Sequence, residues 1–270
     1  VALETFDLFV PRNAFSPRDA ARAGDLWRVC QDAAVLGSTR RGWTPRRYRE
    51  EACGFLVRRM AVRHHAPLTF GDSVAARTWV SSFLRGMITH REIRLAGANG
   101  PVASATQEWI FIALEGGQVR PVRAPESVTA TFVVEDHGPS VVVPAASAPP
   151  GAATATFSFA AWFGWMDPLG HANHPQYVDW CDEALARALA PRCSAFDLVP
   201  VGEEVTFRSG VIAPERVTVH TALIGLDAAG DAVFAHRVLG EDGRLCATAT
   251  LVRRAADGGG AALVDAFRAD

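Results

Sequence analysis

Trp165-Met166-Asp167-Pro168-Leu169-Gly170-His171-Ala172-Asn173-His174-Pro175-Gln176-Tyr177-Val178-Asp179-Trp180 packs a carboxylate, two imidazoles and an asparagine between an alternating run and a helix-period run. The run before it, 154–165, is rich in β-branched and aromatic residues with small alternating partners, which predicts a strand. Asp167-Pro168-Leu169-Gly170 reads as a turn. From Tyr177 onward, Tyr177, Trp180, Cys181, Ala184, Leu185 and Ala188 form an apolar stripe at helical spacing. Pro175 suits the first helical turn, where its missing N–H costs nothing, and His174 or Asn173 would be the cap. Further on, alternating runs at 201–208, 216–226, 233–239 and 245–253 are separated by turns such as Asp227-Ala228-Ala229-Gly230 and Glu241-Asp242-Gly243. One helix followed by four short strands predicts an antiparallel sheet.

The first half repeats this order. A strand is predicted near 3–10, then a helix with the stripe Leu26, Val29, Cys30 and Ala33, then strands at 53–62, 73–83, 89–95 and 102–114. Sliding one half on the other lays Val29-Cys30-Gln31-Asp32-Ala33 on Trp180-Cys181-Asp182-Glu183-Ala184. Ser16 then falls opposite Asp167 and Ala20 opposite His171, so the first half lacks the carboxylate and imidazole of the second. Between Pro125 and Pro150 the composition shifts to Pro, Ala and Ser, the mark of a linker. The expected organisation is a module at 1–124, a linker at 125–153 and a second module at 154–270. Each module is α+β: a helix buries its stripe against a curled antiparallel sheet.

Composition narrows the chemistry. With 270 residues, 49% hydrophobic and 21% charged, the chain has the balance of a globular protein. All 27 basic residues are arginines, and the lack of lysine excludes Schiff-base enzymes and Walker-type phosphate loops. Five cysteines without a C-x-x-C pair suggest a reducing, cytoplasmic setting. No segment reads as a signal peptide or membrane span. The net charge of -2 divides at residue 140 into +4 and -6, from 18 Arg against 14 acidic residues before it and 9 against 15 after. A pI near 6.5 with no concentrated basic stripe argues against nucleic acid. Arg40, Arg41, Arg46, Arg47 and Arg49 form a candidate anion-docking patch, or else a solvated helix end and loop.

The chemistry concentrates at Asp167 and His171. A carboxylate and an imidazole four positions apart, on a glycine-containing turn at the start of a helix, can activate water or a nucleophile. The helix dipole and its first N–H groups would stabilise a developing oxyanion. That is machinery for acyl transfer. Three histidine or acidic side chains here, Asp167, His171 and His174, could also be read as metal ligands.

The pattern Asp-x-x-Gly-His-x-Asn-(Asn/His)-x-x-Tyr-x-x-Trp, seen from Asp167 to Trp180, resembles the signature of hotdog-fold thioesterases of the 4-hydroxybenzoyl-CoA and acyl-carrier-protein group. Leu26 to Ala34, the strand Phe55-Leu56-Val57-Arg58-Arg59-Met60, and Pro67-Leu68-Thr69-Phe70-Gly71-Asp72 followed by Thr78-Trp79 are similar to further segments of the carrier-protein thioesterases, in the same order. The resemblance implies a tandem, or double, hotdog fold that hydrolyses an acyl thioester of acyl carrier protein or coenzyme A. It implies no cofactor and no metal. It places the catalytic pair at Asp167 and His171, and oxyanion or substrate binding at Gly170, Asn173, His174 and Tyr177, with the backbone N–H of Asn173 or His174 on the oxyanion. Leu169 stands where plant-type members carry an asparagine, a departure that moves this turn toward the Asp-Pro-x-Gly form of the 4-hydroxybenzoyl-CoA branch. Candidates for a further acid are Asp32 and Glu183 on the two helices, with Glu203 and Glu204 nearby in the chain. Arg41, Arg46 and Arg47 would dock the carrier or coenzyme A, and a homodimer is a further expectation. Acyl transfer, dehydration or hydration, and non-catalytic acyl or carrier binding are the competing readings on the same fold.

Overall fold

The structure is a computed structural model that describes residues 4–116, 118–190, 192–194, 198–257 and 259–268. The chain divides into two compact units, Val1–Arg12 with Leu26–Val142, and Asn13–Asp25 with Val143–Asp270.

The first unit holds β1 (Glu4–Leu8), β2 (Cys53–His64), β3 (Val74–Leu84), β4 (Ile88–Gly97), β5 (Gly100–Glu115) and β6 (Gln118–Pro121). The first five run antiparallel in the order β1-β3-β4-β5-β2, with β6 paired to β5. Most of α1 (Ala23–Arg40) belongs here and buries Leu26, Trp27, Val29, Cys30, Ala33 and Ala34. It comes so close to the strands that a Cβ on Gly37 would stand 2.9 Å from both Arg91 Nη1 on β4 and Thr78 Cγ2 on β3. Two short helices, α2 (Pro45–Glu50) and α3 (Glu126–Thr129), complete the unit.

The stretch 125–153, expected as a linker, is divided. Its first part folds back onto the first unit: Glu135 N–H donates to the Val80 carbonyl at 2.8 Å, and Val141 N–H to Thr106 Oγ1 at 2.7 Å. Ser140 Oγ donates to the fully buried Glu92 at 2.7 Å, which also accepts from Ser81 and Thr106 hydroxyls and the Arg94 guanidinium. These donors offset the cost of taking the carboxylate out of water. From Val143 the chain belongs to the second unit, where Ala146 N–H donates to Thr250 Oγ1 at 2.9 Å.

In the second unit, β7 (Thr154–Ala160), β8 (Leu198–Phe207), β9 (Arg216–Leu226), β10 (Ala232–Leu239) and β11 (Leu245–Ala255) run antiparallel in the order β8-β11-β10-β9-β7. The run 154–165 is a strand only to Ala160; a 3-10 turn at Phe163–Trp165 follows, turning the chain toward the helix. The helix α4 (Gln176–Leu189) buries Tyr177, Val178, Trp180, Cys181, Ala184, Leu185 and Leu189; Val178 and Leu189 join the expected stripe, while Ala188, expected in it, is only partly buried. Its N-cap position is Pro175, which makes no side-chain cap hydrogen bond, rather than the His174 or Asn173 expected from the sequence. Leu185 and Leu189 join Leu223, Phe234, Leu263, Val264 and Phe267 in one core, the last three from α5 (Gly259–Arg268). A Cβ on Gly260 would lie 2.3 Å from the Gly230 carbonyl oxygen, so α5 can close on the β9–β10 turn only with glycine there.

Under α4 the sheet buries charge. Arg253, 1% exposed, donates from Nε and Nη2 to both Asp182 carboxylate oxygens at 2.9 and 3.0 Å, and from Nη1 to Glu203 Oε1 at 2.5 Å. His236 on β10 is equally buried, its Nδ1 3.0 Å from Thr221 Oγ1. Burial, with Arg253 nearby, pushes its imidazole down to about 3. His236 is therefore neutral in the folded protein, whereas the unfolded chain takes up a proton near its ordinary value of 6.5. The stability this group supplies is complete above pH 6.5 and is lost as pH falls from there toward 3, at about 1.4 kcal/mol per pH unit. Urea unfolding between pH 7 and 4.5 is expected to show this slope in the wild type and to lose it in His236→Gln; equal slopes would remove His236 from the account.

Candidate active site

Backbone hydrogen bonds build the Asp167 turn before any side chain is considered. Asp167 N–H donates to the His171 carbonyl at 2.8 Å, and Gly170 N–H to the Asp167 carbonyl at 2.9 Å. Gly170 takes φ +81, a left-handed conformation that glycine enters without steric cost. Met166 and Ala172 close the turn with an antiparallel bridge. Asp167 Oδ1 accepts the Leu169 N–H at 2.8 Å, an Asx turn that fixes the carboxylate.

That leaves Asp167 Oδ2 directed at His171 Nδ1, 3.5 Å away; the carboxylate is mostly buried and the imidazole half-buried. His171 Nδ1 also lies 3.3 Å from the Ala172 carbonyl oxygen. Two acceptors flank this nitrogen, so the neutral ring carries its proton on Nδ1 and keeps its lone pair on Nε2.

The imidazole is backed by the β8–β9 connection. A Cβ built on Gly210 would stand 3.0 Å from His171 Cβ and 3.4 Å from Cγ, so this backbone runs directly against the ring. Ala172 N–H donates to the Val211 carbonyl at 2.8 Å. Tyr177 is fully engaged in holding the same connection. Its hydroxyl donates to the Ser209 carbonyl at 3.4 Å and accepts from Val211 N–H at 3.2 Å, and burial holds its phenol well above the ordinary range. Its ring packs 4.7 Å from Trp180 and 5.2 Å from Phe207. Tyr177, expected to bind substrate, has the geometry of a core strut.

The start of α4 also differs from expectation. Asn173 N–H is committed to the Trp165 carbonyl at 2.9 Å, so it is not an oxyanion donor in this arrangement. Gln176, Tyr177 and Val178 donate back to the Asn173, His174 and Pro175 carbonyls.

The pattern on the first half follows the same register. Phe15 bridges Ala21, Ser16 N–H donates to the Ala20 carbonyl at 2.9 Å, and Asp19 N–H to the Ser16 carbonyl at 2.9 Å. These match Met166 with Ala172, Asp167 with His171 and Gly170 with Asp167, and Asp19 has φ +55 where Gly170 has +81. Ser16 and Ala20 thus occupy a copy of the turn without its carboxylate or imidazole.

Residues 161–265, which include this whole site, match the family model of the thioesterase-like superfamily. No curated protein matches the chain. Among solved structures, one from Lactobacillus plantarum, provisionally named an oleoyl thioesterase, is 19% identical with a TM-score of 0.78, covering 94% of this chain and 96% of that one. A 12:0-ACP thioesterase from Umbellularia californica is 13% identical with a TM-score of 0.75, covering 94% of each chain. An acyl-ACP thioesterase from Bacteroides thetaiotaomicron is 12% identical with a TM-score of 0.73, covering 93% of this chain and 98% of that one. The chain is a double hotdog.

Other site candidates in this double hotdog are placed away from the dyad chemistry. Glu183 lies on the exposed side of α4, ion-paired with Arg187 at 2.6 Å, and supplies no acid to the Asp167 turn. Glu203 is spent on Arg253, and Glu204 is buried. Asp32 sits on α1 in the first unit, its carboxyl raised by burial. The arginine patch is largely neutralised: Arg46 pairs with Glu50 and Arg47 with Glu51, each at 2.7 Å across one helical turn. Arg41 donates to Glu135 at 3.2 Å with Glu4 also in reach, so it braces the first unit. Such paired charges offer much less docking potential than five bare arginines. Among the described residues no group of three His, Cys, Asp or Glu is arranged to hold a metal, and no helix is long and apolar enough to cross a membrane.

Gly210, Arg244 and Glu215 escaped the sequence reading. Ser209-Gly210 and Glu241-Asp242-Gly243 mark turns, but nothing local says that the first lies against His171 or that the second is bonded to the first.

Proposed function

We propose that this double hotdog hydrolyses an acyl thioester of coenzyme A or acyl carrier protein to the free acid and thiol. The observation that carries the reading is the Asp167–His171 pair, held on a hydrogen-bonded turn at the start of α4, inside the span that matches the thioesterase-like superfamily. Water attacks the thioester carbonyl carbon as His171 Nε2 takes its proton. The Asp167 carboxylate stabilises the resulting imidazolium, much as a buried carboxylate orients the base of a catalytic triad. The tetrahedral oxyanion collapses, the C–S bond breaks, and the thiolate leaves with the proton from the imidazolium. The positive end of the α4 dipole favours the oxyanion.

The surroundings suit an acyl substrate. Trp162, Phe163, Leu169 and Ile212 are exposed apolar side chains on the segments that form or adjoin the turn. The resemblance to thioesterases with acyl-carrier or oleoyl names supports the same class.

The test is thiol release from purified protein with acyl-CoA and acyl-carrier thioesters across chain lengths, with and without amine or alcohol acceptors. Acceptor-independent release of free acid is expected. Release that requires an acceptor would make the protein a transferase, and no turnover of any thioester would overturn the reading. Because Arg46 and Arg47 are already paired, their charge reversal is expected to change carrier-substrate kcat/KM by less than about threefold at 0.15 M salt.

A further inference from the structure

Arg244 lies in the β10–β11 turn, far in sequence from the catalytic segment, and ties three pieces of chain together. Its Nε donates to Ser209 Oγ at 3.2 Å, and its Nη2 to the Gly210 carbonyl at 2.9 Å and to Glu215 Oε1 at 2.6 Å. Its Nη1 donates to Asp242 Oδ1 at 3.0 Å, so every guanidinium nitrogen is in use. Glu215 is held in turn: its Oε1 accepts the Ile212 N–H at 2.6 Å, and its Oε2 the Glu241 N–H at 3.4 Å. The guanidinium lies close against Gly240 of the same turn.

The connection pinned in this way is the one that backs His171. Gly210 lies against the imidazole, with Ser209 before it in the chain and Val211, the acceptor for Ala172 N–H, after it. Arg244 itself makes no hydrogen bond or ion pair with Asp167 or His171.

We infer that Arg244, acting with Glu215, is a positioning residue that holds Gly210 against the His171 ring and so keeps Nδ1 turned toward Asp167. This rests on the catalytic role proposed for that pair. An arginine suits the task because its planar fork presents donors to several acceptors at once in fixed directions, and its charge persists at all working pH values. The pairing with Glu215 raises the guanidinium further. Without it the Ser209–Glu215 connection keeps the Tyr177 and Ala172 bonds, the Ser209 N–H bond to the Cys246 carbonyl and the Glu241 N–H bond to Glu215, but loses the guanidinium's bonds to Ser209 Oγ, the Gly210 carbonyl and Glu215. Gly210 can then withdraw, and the imidazole gains room to rotate away from Oδ2. A displacement of about 1 Å in a catalytic group costs on the order of a hundredfold in rate.

The experiment compares wild type with Arg244→Met, Arg244→Lys and Glu215→Gln by steady-state thioester hydrolysis and by NMR of 15N-labelled histidine, with the His171 signals identified by their loss in His171→Gln. Arg244→Met is expected to lower kcat about a hundredfold with KM changed less than about twofold, and Arg244→Lys to recover roughly a tenth of the wild-type rate. The His171 ring nitrogens should move toward mixed tautomers in Arg244→Met and remain as in wild type in Arg46→Ala, a surface control. Unchanged kcat and unchanged His171 signals would overturn the inference. So would a raised KM at constant kcat, which would make Arg244 a contact for substrate. Should Arg244→Met fail to fold, Glu215→Gln cuts the same tie with a smaller change and is read in the same way. Should Asp167→Asn and His171→Gln retain full activity, the functional reading fails, and the histidine spectra still decide whether Arg244 positions the ring.

Discussion

Asp167→Asn is expected to lower kcat/KM for thioester hydrolysis by about 10³–10⁴-fold with the fold intact. The substitution is nearly isosteric, and the amide oxygen can still accept the Leu169 N–H that fixes the Asx turn. The two backbone hydrogen bonds and the bridge of the turn do not involve the side chain. What changes is the group facing His171 Nδ1 at 3.5 Å. An amide N–H₂ placed there donates to Nδ1, which drives the ring proton to Nε2 and removes the lone pair needed to accept a proton from water. It also removes the negative charge that stabilises the imidazolium. Thiol release over a range of pH, beside circular dichroism and thermal unfolding, checks both halves of the expectation. Activity within about tenfold of wild type in a folded Asp167→Asn protein would sink the dyad.

Replacing Arg253 by Met is expected to destabilise the second unit by about 3–5 kcal/mol. The cost comes from what remains. Glu203 is fully buried and loses its Arg253 partner, whereas Asp182, 29% exposed, can turn toward water. A buried carboxylate that loses its arginine must either stay ionised in a poorer environment or take up a proton, and both states cost free energy. Adding Glu203→Gln to Arg253→Met is therefore expected to recover about 2 kcal/mol, since it removes the charge that Arg253 had paired. Urea unfolding of the single and double variants measures the coupling. A loss below about 1 kcal/mol for Arg253→Met, or no recovery in the double variant, would mean that the triad carries little of the unit's stability.

The strand set was largely legible because alternation and turn residues are local signals. The runs 216–226 and 245–253 appear as β9 and β11, and the slide of one half on the other survives as matching hydrogen bonds at Ser16–Ala20 and Asp167–His171. The strand expected to reach Trp165 stops at Ala160 because Phe163–Trp165 forms a 3-10 turn, with Trp162 stacked 5.1 Å from Trp165. Aromatic richness marks both conformations, so composition could not separate them. At the site, Asp167, Gly170 and His171 share one short segment, and a turn motif brings them together without help from distant chain. Tyr177 is buried as the helical stripe expected, although the family resemblance also implied a substrate contact there, and Glu183, a candidate acid, is carried to the solvent side by helical phase.

The sequence alone determined the repeated helix-and-sheet unit and the Asp167–His171 turn, because both depend on interactions over a few residues. The tertiary structure decided which charges are free to act. Arg253 meets Asp182 and Glu203, and Arg244 meets Glu215 and Gly210, only once strand register has been fixed; a register shift between Val252 and Arg253 in the β8–β11 pairing lies at the arginine itself. A strand's periodicity says which face a side chain occupies, but its partner across the sheet depends on register, and a slip of one residue would send it to the opposite face.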